Sequence, residues 1–395
     1  MEKSNFANQV LFAKEAADFL GISVQRLNQL VHDGKIRYLK KNSSGTLFHI
    51  DDLKIRQEEI AIFDDTIHEG SDRGMFRIDS STKQEALNFA TVMELLKKTE
   101  STVDPIFNEI GCSIDVSLPM NDPVVLSHYV KHLGQSAEMI QDIYEKAKLA
   151  FSLLRVNDVI LKRGCEFYPK QLEVTEQAPR FLYLRGNISL LSEKRIVSIV
   201  GSRKASNIAQ AKTRKLAKML GENGITVISG LAKGIDVNAH QSALENGFNT
   251  IAVIGTHLNQ YYPIENKMTQ ETIEKRGLII SQFSPASQTQ RWHFPMRNGV
   301  MSGLSLATVI MEAGETSGAL KQADYALKQN RLVLIPQSAL DNKAITWPKR
   351  YVDRGAKVVL NSVDIIKELA QSEIYVPEKN SIFVQQSLFD GAIYV

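Results

Sequence analysis

Cysteine is nearly absent from this sequence: among 395 residues only Cys112 and Cys165 carry a thiol. Two cysteines build no disulfide framework and no thiolate metal site by themselves, and they suit a reducing compartment. Long apolar runs are missing too. No stretch approaches the ~20 residues of a membrane-spanning helix, and charge is scattered through the first twenty residues where a secretory signal would have an apolar core. A cytoplasmic protein with no membrane attachment is expected. An excess of charge of either sign is the third absence: Lys+Arg 47 against Asp+Glu 44 leaves +3. No global basic field announces a polyanionic partner, so any nucleic-acid contact has to come from a local patch. What is present, 43% hydrophobic and 23% charged residues, is an ordinary globular mixture of a length for two or three domains.

The chain divides into four stretches: 1–57, 58–160, 161–372 and 373–395. In the first, Ala16, Ala17 and Leu20 fall at helical spacing, Gly21-Ile22-Ser23 makes a break, and Val24, Leu27, Leu30 and Val31 form the inward stripe of a second helix. Ile36–Leu39 and Leu47–Ile50 flank the Asn42–Gly45 turn as a hairpin. This pattern resembles the winged helix-turn-helix of the excisionase and MerR families. The resemblance implies a second helix that offers Gln25, Arg26 and Gln29 to a major groove, with Arg37 on the wing near phosphates. A module that docks on protein instead is the alternative. In 58–160 the spacing predicts helices over 85–98 and 123–154 and shows no chemistry, so a helical spacer is expected.

From 161 onward the character changes. Short β-branched runs at 196–200, 226–228, 250–254, 278–281, 307–311, 332–335 and 357–360 alternate with helical segments at 209–223, 237–247 and 319–330. Fully apolar strands alternating with helices predict an α/β domain, a doubly wound, mostly parallel, Rossmann-like sheet. Such sheets hold ligands at the carboxyl ends of their strands. There the sequence places Gly201, Ser202 and Arg203, then Gly230 and Lys233, then Ser317-Gly318, a set suited to a phosphate-bearing ligand. Tight turns explain any one of these glycines equally well. The nucleotidase run G-x-x-x-x-G-K-[ST] is missing, and so is the second glycine of the dinucleotide fingerprint, which excludes the usual nucleotide cofactors. No cofactor is expected. Arg291, Trp292, Phe294, Arg297 and Asn298 interleave flat rings with guanidinium groups, which suits unstacked bases on a charged backbone. The alternative is that the two rings plug the core.

Asp236 and His240, four residues apart, lack a third metal ligand, so a helix cap and a packed histidine are expected and no metal site is assigned. Glu312 and Glu315 come with no nucleophile–base pair, which points to a non-enzyme.

Together these runs resemble the DNA-processing protein A family (DprA, also called Smf). The motifs are FYPKQLEVTEQAPRFLYLRGN (167–187), IVGSRKAS (199–206), SGLAKGIDVNAH (229–240), TIAVIGTHLNQYYPIEN (250–266), HFPMRNGVMSGLS (293–305) and MEAGETSGAL (311–320). They cover about half of the chain. The resemblance implies an extended Rossmann fold that binds single-stranded DNA in recombination or DNA uptake, loads RecA, and forms a homodimer. It makes Arg203, Phe294 and Arg297 the strand-binding residues, with Gly201, Ser202, Lys233 and Asn298 lining the pocket. The sequence departs from the pattern at Gln282, where an acid is usual, and at Gln337, where a glycine is usual. The C-terminal winged helix of many members is absent, so a specialised role on a mobile element or in defence is a further expectation. Two other functions stay open: a nucleotide-derivative sensor or hydrolase using the same sheet edge, and a helix-turn-helix regulator. Finally, Gln385, Leu388 and Phe389 in the tail resemble the short peptide by which bacterial replication and repair proteins dock on the sliding clamp.

Overall fold

The computed structural model describes residues 10–20, 27, 31, 36, 38–42, 45–50, 53 and 80–373. The amino-terminal unit is a small sheet and a helix. Strand β1 (Val10–Phe12) runs into α1 (Ala13–Leu20), and β2 (Lys40–Asn42) and β3 (Gly45–His49) form the hairpin. The sheet order is β1-β3-β2, all antiparallel. Ala16, Ala17, Leu20, Leu27, Ile36, Phe48 and Leu53 share one apolar core. The hairpin turn lies where the spacing places it, but its first strand is Lys40–Asn42 rather than 36–39, and β1 was not expected. Most of the expected second helix lies outside the described residues, and so do Gln25, Arg26, Gln29 and Arg37.

Four helices follow: α2 (Ser80–Leu96), α3 (Glu100–Gly111), α4 (Pro123–Leu133) and α5 (Ala137–Phe151). The sequence predicts α4 and α5 as one helix. They are two because Gly134 adopts a left-handed φ of 62° and ends α4, and Ser136 then caps α5 through its Oγ, which accepts from the Met139 N–H at 3.3 Å. At the start of α4 Asp122 accepts from the N–H groups of Val124 and Val125, with Pro123 in the first turn where its missing donor costs nothing.

The large sheet has nine strands: β4 (Val159–Lys162), β5 (Phe181–Gly186), β6 (Ile196–Val200), β7 (Thr226–Ser229), β8 (Thr250–Ile254), β9 (Leu278–Ser281), β10 (Ala307–Ile310), β11 (Leu332–Pro336) and β12 (Lys357–Val359). Their order is β12-β11-β10-β6-β7-β8-β9-β5-β4. The strands β6 to β12 are parallel to their neighbours, and β5 and β4 add an antiparallel edge. The seven parallel strands are those the apolar runs predict, within a residue at each end.

Between them run α6 (Lys170–Glu173), α7 (Asn207–Glu222), α8 (Ile235–Glu245), α9 (Lys267–Arg276), α10 (His293–Gly303), α11 (Gly318–Lys328), α12 (Gln337–Leu340), α13 (Trp347–Val352) and α14 (Ser362–Glu373). Alternate side chains of each strand face opposite layers. Ile196, Val200, Ile228 and Val253 pack with Val300 and Met301 of α10 and Ala323 of α11. Val197, Ile199 and Val227 pack with α7, α8 and α14. On the β8–β9–β5 side, Ala252, Ile254, Ile279, Phe181 and Tyr183 share a cluster with Phe89, Phe107, Tyr129 and Tyr144 of the four helices. The stretch expected as a spacer thus completes a layer of the sheet. Its apolar residues find their partners about a hundred residues further along the chain.

Candidate nucleic-acid interface

Strand β6 lies between β7 and β10, with β7, β8 and β9 following on one side and β10, β11 and β12 on the other. That is the switch point at which open parallel sheets form a crevice. The loop after β6 is clamped there. The Ser202 N–H donates to the carbonyl of Glu312 at 2.6 Å, and the Glu312 carboxylate accepts from the Ser206 N–H at 3.0 Å and Oγ at 2.7 Å. A side chain of the protein itself therefore takes up donors at the start of α7. Gly201 is needed for packing: a Cβ there would stand 2.5 Å from Ile235 Cγ1 and 2.8 Å from the Glu312 carbonyl. Gly234, at φ 76°, lies against the Ser202 carbonyl with no room for a side chain.

Beneath these loops is Arg297, on the second turn of α10 and buried. Its Nη1 donates to the carbonyls of Gly230 and Val253, which ties the ends of β7 and β8 together. Burial lowers its pKa to about 10, opposed by the neighbouring charge of Asp236, so it stays protonated at neutral pH. Asp236, also buried, accepts from the Ala232 N–H; burial raises its pKa and Arg297 pulls it back. His293 is buried as well, its ring stacked on Phe283 at 3.9 Å, and burial lowers its pKa to about 4.

Above this base the rings are open. Phe294, on the first turn of α10, packs on Gly255, where a Cβ would approach the ring to 2.6 Å. The guanidinium of Arg203 lies 5.9 Å from its centroid, and the Tyr262 ring is 5.0 Å away. Arg203 is exposed, Phe294 half-buried and Tyr262 47% exposed. Lys267 covers the next ring, Tyr261, at 4.8 Å. Lys233 is exposed and pairs with Glu265 at 2.6 Å, and Arg291 and Trp292 are exposed before α10. Asn298 is buried and donates to the Gly318 carbonyl at 3.2 Å.

The sequence-derived set thus falls into two tiers. Arg203, Phe294, Lys233 and Arg291 face solvent near the strand ends, whereas Arg297, Asn298 and Gly230 lie underneath and hold the loops. Trp292 does not fill the core as the alternative reading had it; it is 42% exposed. The sequence reasoning missed Tyr262, although its aromatic pair beside a proline stands inside the quoted run at 250–266. Asp236 does not cap α8, whose N-cap is Gly234, but accepts from the Ala232 N–H in the loop before it, and His240 is a core group whose ring nitrogen Nδ1 lies 2.7 Å from Thr250 Oγ1. Glu315 accepts from the N–H groups at the start of α13, which lowers its pKa. Gln385, Leu388 and Phe389 lie outside the described residues.

Residues 160–370 match the family described as DNA recombination-mediator protein A. The chain belongs to this family. Among relatives of the DNA recombination-mediator protein A family, DNA processing protein DprA of Streptococcus pneumoniae is 39% identical over 202 residues, 51% of this chain and 71% of that protein. Its Bacillus subtilis counterpart is 30% identical over 268 residues, 67% and 90%. The solved structure of the pneumococcal protein covers 74% of this chain and 98% of that one, at 28% identity and a TM-score of 0.56. The family description names a mediator of recombination, not a catalyst. Among the described residues no helix is long and apolar enough to cross a membrane.

Proposed function

We propose that the carboxyl edge of β6, β7 and β8 binds single-stranded DNA during recombination or DNA uptake. The single observation that carries this reading is the Arg203–Phe294–Tyr262 cluster, a cation and two accessible rings over a buried, rigid base. Flat rings accept any unstacked base, and a guanidinium supplies phosphate attraction, so binding is tolerant of sequence and sensitive to salt. Gly201, Ser202, Lys233 and Arg291 extend the contact to the backbone, while Gly230, Arg297 and Asn298 position it. No covalent step is part of this reading. Delivery of RecA, pairing as a homodimer, a second DNA contact through Gln25, Arg26, Gln29 and Arg37, and clamp docking through Gln385, Leu388 and Phe389 belong to the same proposal.

Arg203→Ala is expected to weaken strand binding by ~1–3 kcal/mol, the worth of a charge-assisted hydrogen bond, and to flatten its salt dependence. Fluorescence anisotropy on a short labelled oligonucleotide measures both. Duplex and mononucleotide competitors run beside it. A mononucleotide that displaces the strand at equal concentration favours the nucleotide-sensor reading instead.

A further inference from the structure

Beside the strand-binding edge lies a second concavity, of about 310 Å³, between α2 and the loop 282–292. Phe89 and Met93 of α2 border it on one side and Gln282, Phe283 and Trp292 on the other. Its walls are rings: Phe283 is stacked on His293, and Trp292 meets His293 edge to face at 4.3 Å. One wall carries a polar group with nothing to bond. The Gln282 Oε1 is shut away from solvent and has no hydrogen-bond partner among the described residues. Lys97 and Lys98 stand exposed at the mouth, where the charge of Lys97 also acts on the Glu94 carboxylate. Among the bordering acids, burial raises the pKa of Glu94, opposed by Lys97, and pushes Glu100 up to about 7.

We infer that this cleft receives one base of the same DNA strand whose neighbours stack at Phe294, an inference that rests on the proposed function. Continuity carries it: Trp292, at the cleft wall, precedes Phe294 by two residues, and His293 between them belongs to both sites. A planar heterocycle fills an aromatic slot by stacking on its rings. Its phosphates then meet Lys97 and Lys98. A site of this size is at the small end for organic ligands, which fits one nucleotide and not a folded partner. The strand would leave the sheet edge and run toward the four-helix layer, so those helices take part in recognition.

The test uses the full chain and short oligonucleotides with 5-iodouracil at successive positions. Photocrosslinks are expected in two places: at the Phe294 peptide for some positions, and in α2 or 282–292 for another. Met93→Trp, which fills the slot, should abolish the second crosslink and weaken binding about tenfold. Lys97→Ala with Lys98→Ala, both exposed and safe for folding, should reduce the slope of log affinity against log salt by about 1. Crosslinks confined to the Phe294 peptide, together with wild-type affinity and salt slope in both variants, would overturn the cleft assignment alone. Wild-type protein that binds no single strand would overturn the proposed function and this inference with it. A slot closed by an apolar side chain from another protein would show as strand binding indifferent to Met93→Trp, and that too overturns it.

Discussion

Phe294 serves two masters, and the balance between them is measurable. Its ring packs on Gly255 below and lies open to Arg203 and Tyr262 above. Phe294→Ala is therefore expected to cost ~1–3 kcal/mol of strand affinity and less stability than the ~3–5 kcal/mol of a fully buried phenylalanine. Anisotropy and thermal melting on the same preparation separate the two, and Phe294→Tyr should restore binding. A melting loss as large as a core truncation with affinity intact would place the ring in the core. Residue types at this site were legible in the sequence; their depth was not. Arg297 and Arg203 read alike as guanidinium groups near a strand end, yet one is buried on carbonyls and the other free on the surface. The helical phase of α10 turns Arg297 inward and Phe294 toward the edge, whereas Arg203 stands on the open loop after β6.

At the scale of elements, the antiparallel edge carries a buried charge that anchors the loop after β8. Arg185 of β5 donates from Nε and Nη2 to the two Asp158 oxygens at 2.6 and 2.7 Å, and reaches the Leu258 carbonyl at 3.0 Å and Asn259 Oδ1 at 2.7 Å. That loop leads to Tyr262. Arg185→Ala strands the Asp158 carboxylate and should cost about 3–5 kcal/mol of stability in denaturant melts. Arg185→Ala with Asp158→Ala should recover part of that loss, as leaving no orphaned charge predicts. Neither β4 nor β5 was read as a strand from the sequence. A charged residue such as Arg185 in an apolar run argues against a central strand, and its partner, 27 positions back, becomes visible only when β4 and β5 pair. The parallel strands had no such obstacle. Buried on both faces, they read as unbroken apolar runs.

For the whole molecule the prediction concerns acid. Burial lowers the pKa of His240 to about 3 and of His293 to about 4, against an ordinary 6.5. Both lie below the unfolded value, so the folded protein binds fewer protons. The stability tied to these neutral rings is complete above pH 6.5 and is lost as pH falls toward 4 and then 3, each pKa unit being worth about 1.4 kcal/mol for a fully buried group. Glu100, pushed up to about 7 by burial, works in the opposite direction between pH 7 and 4.5, so the histidine contribution is read by comparison: His293→Gln should lose less melting temperature, or gain more, than the wild type over that window. Identical pH profiles of melting temperature for wild type and His293→Gln would contradict the neutral assignment of His293. Because His293 underlies both Phe294 and the cleft, strand affinity should weaken over the same window.

What the sequence determined by itself is whatever depends on local pattern. The parallel strands, the helices between them, the glycine-bearing strand ends and the aromatic–arginine run all follow from period and composition, and they put the candidate residues at the carboxyl ends of the strands. The tertiary structure decided what depends on partners distant in the chain. It turned the expected spacer into a layer of the sheet, because Phe89, Phe107 and Tyr129 cover Phe181 and Tyr183. It used Glu312 to hold Ser206 rather than a substrate, and it brought Tyr262 to Phe294. Burial and approach are properties of the packed chain, and a one-dimensional pattern carries neither.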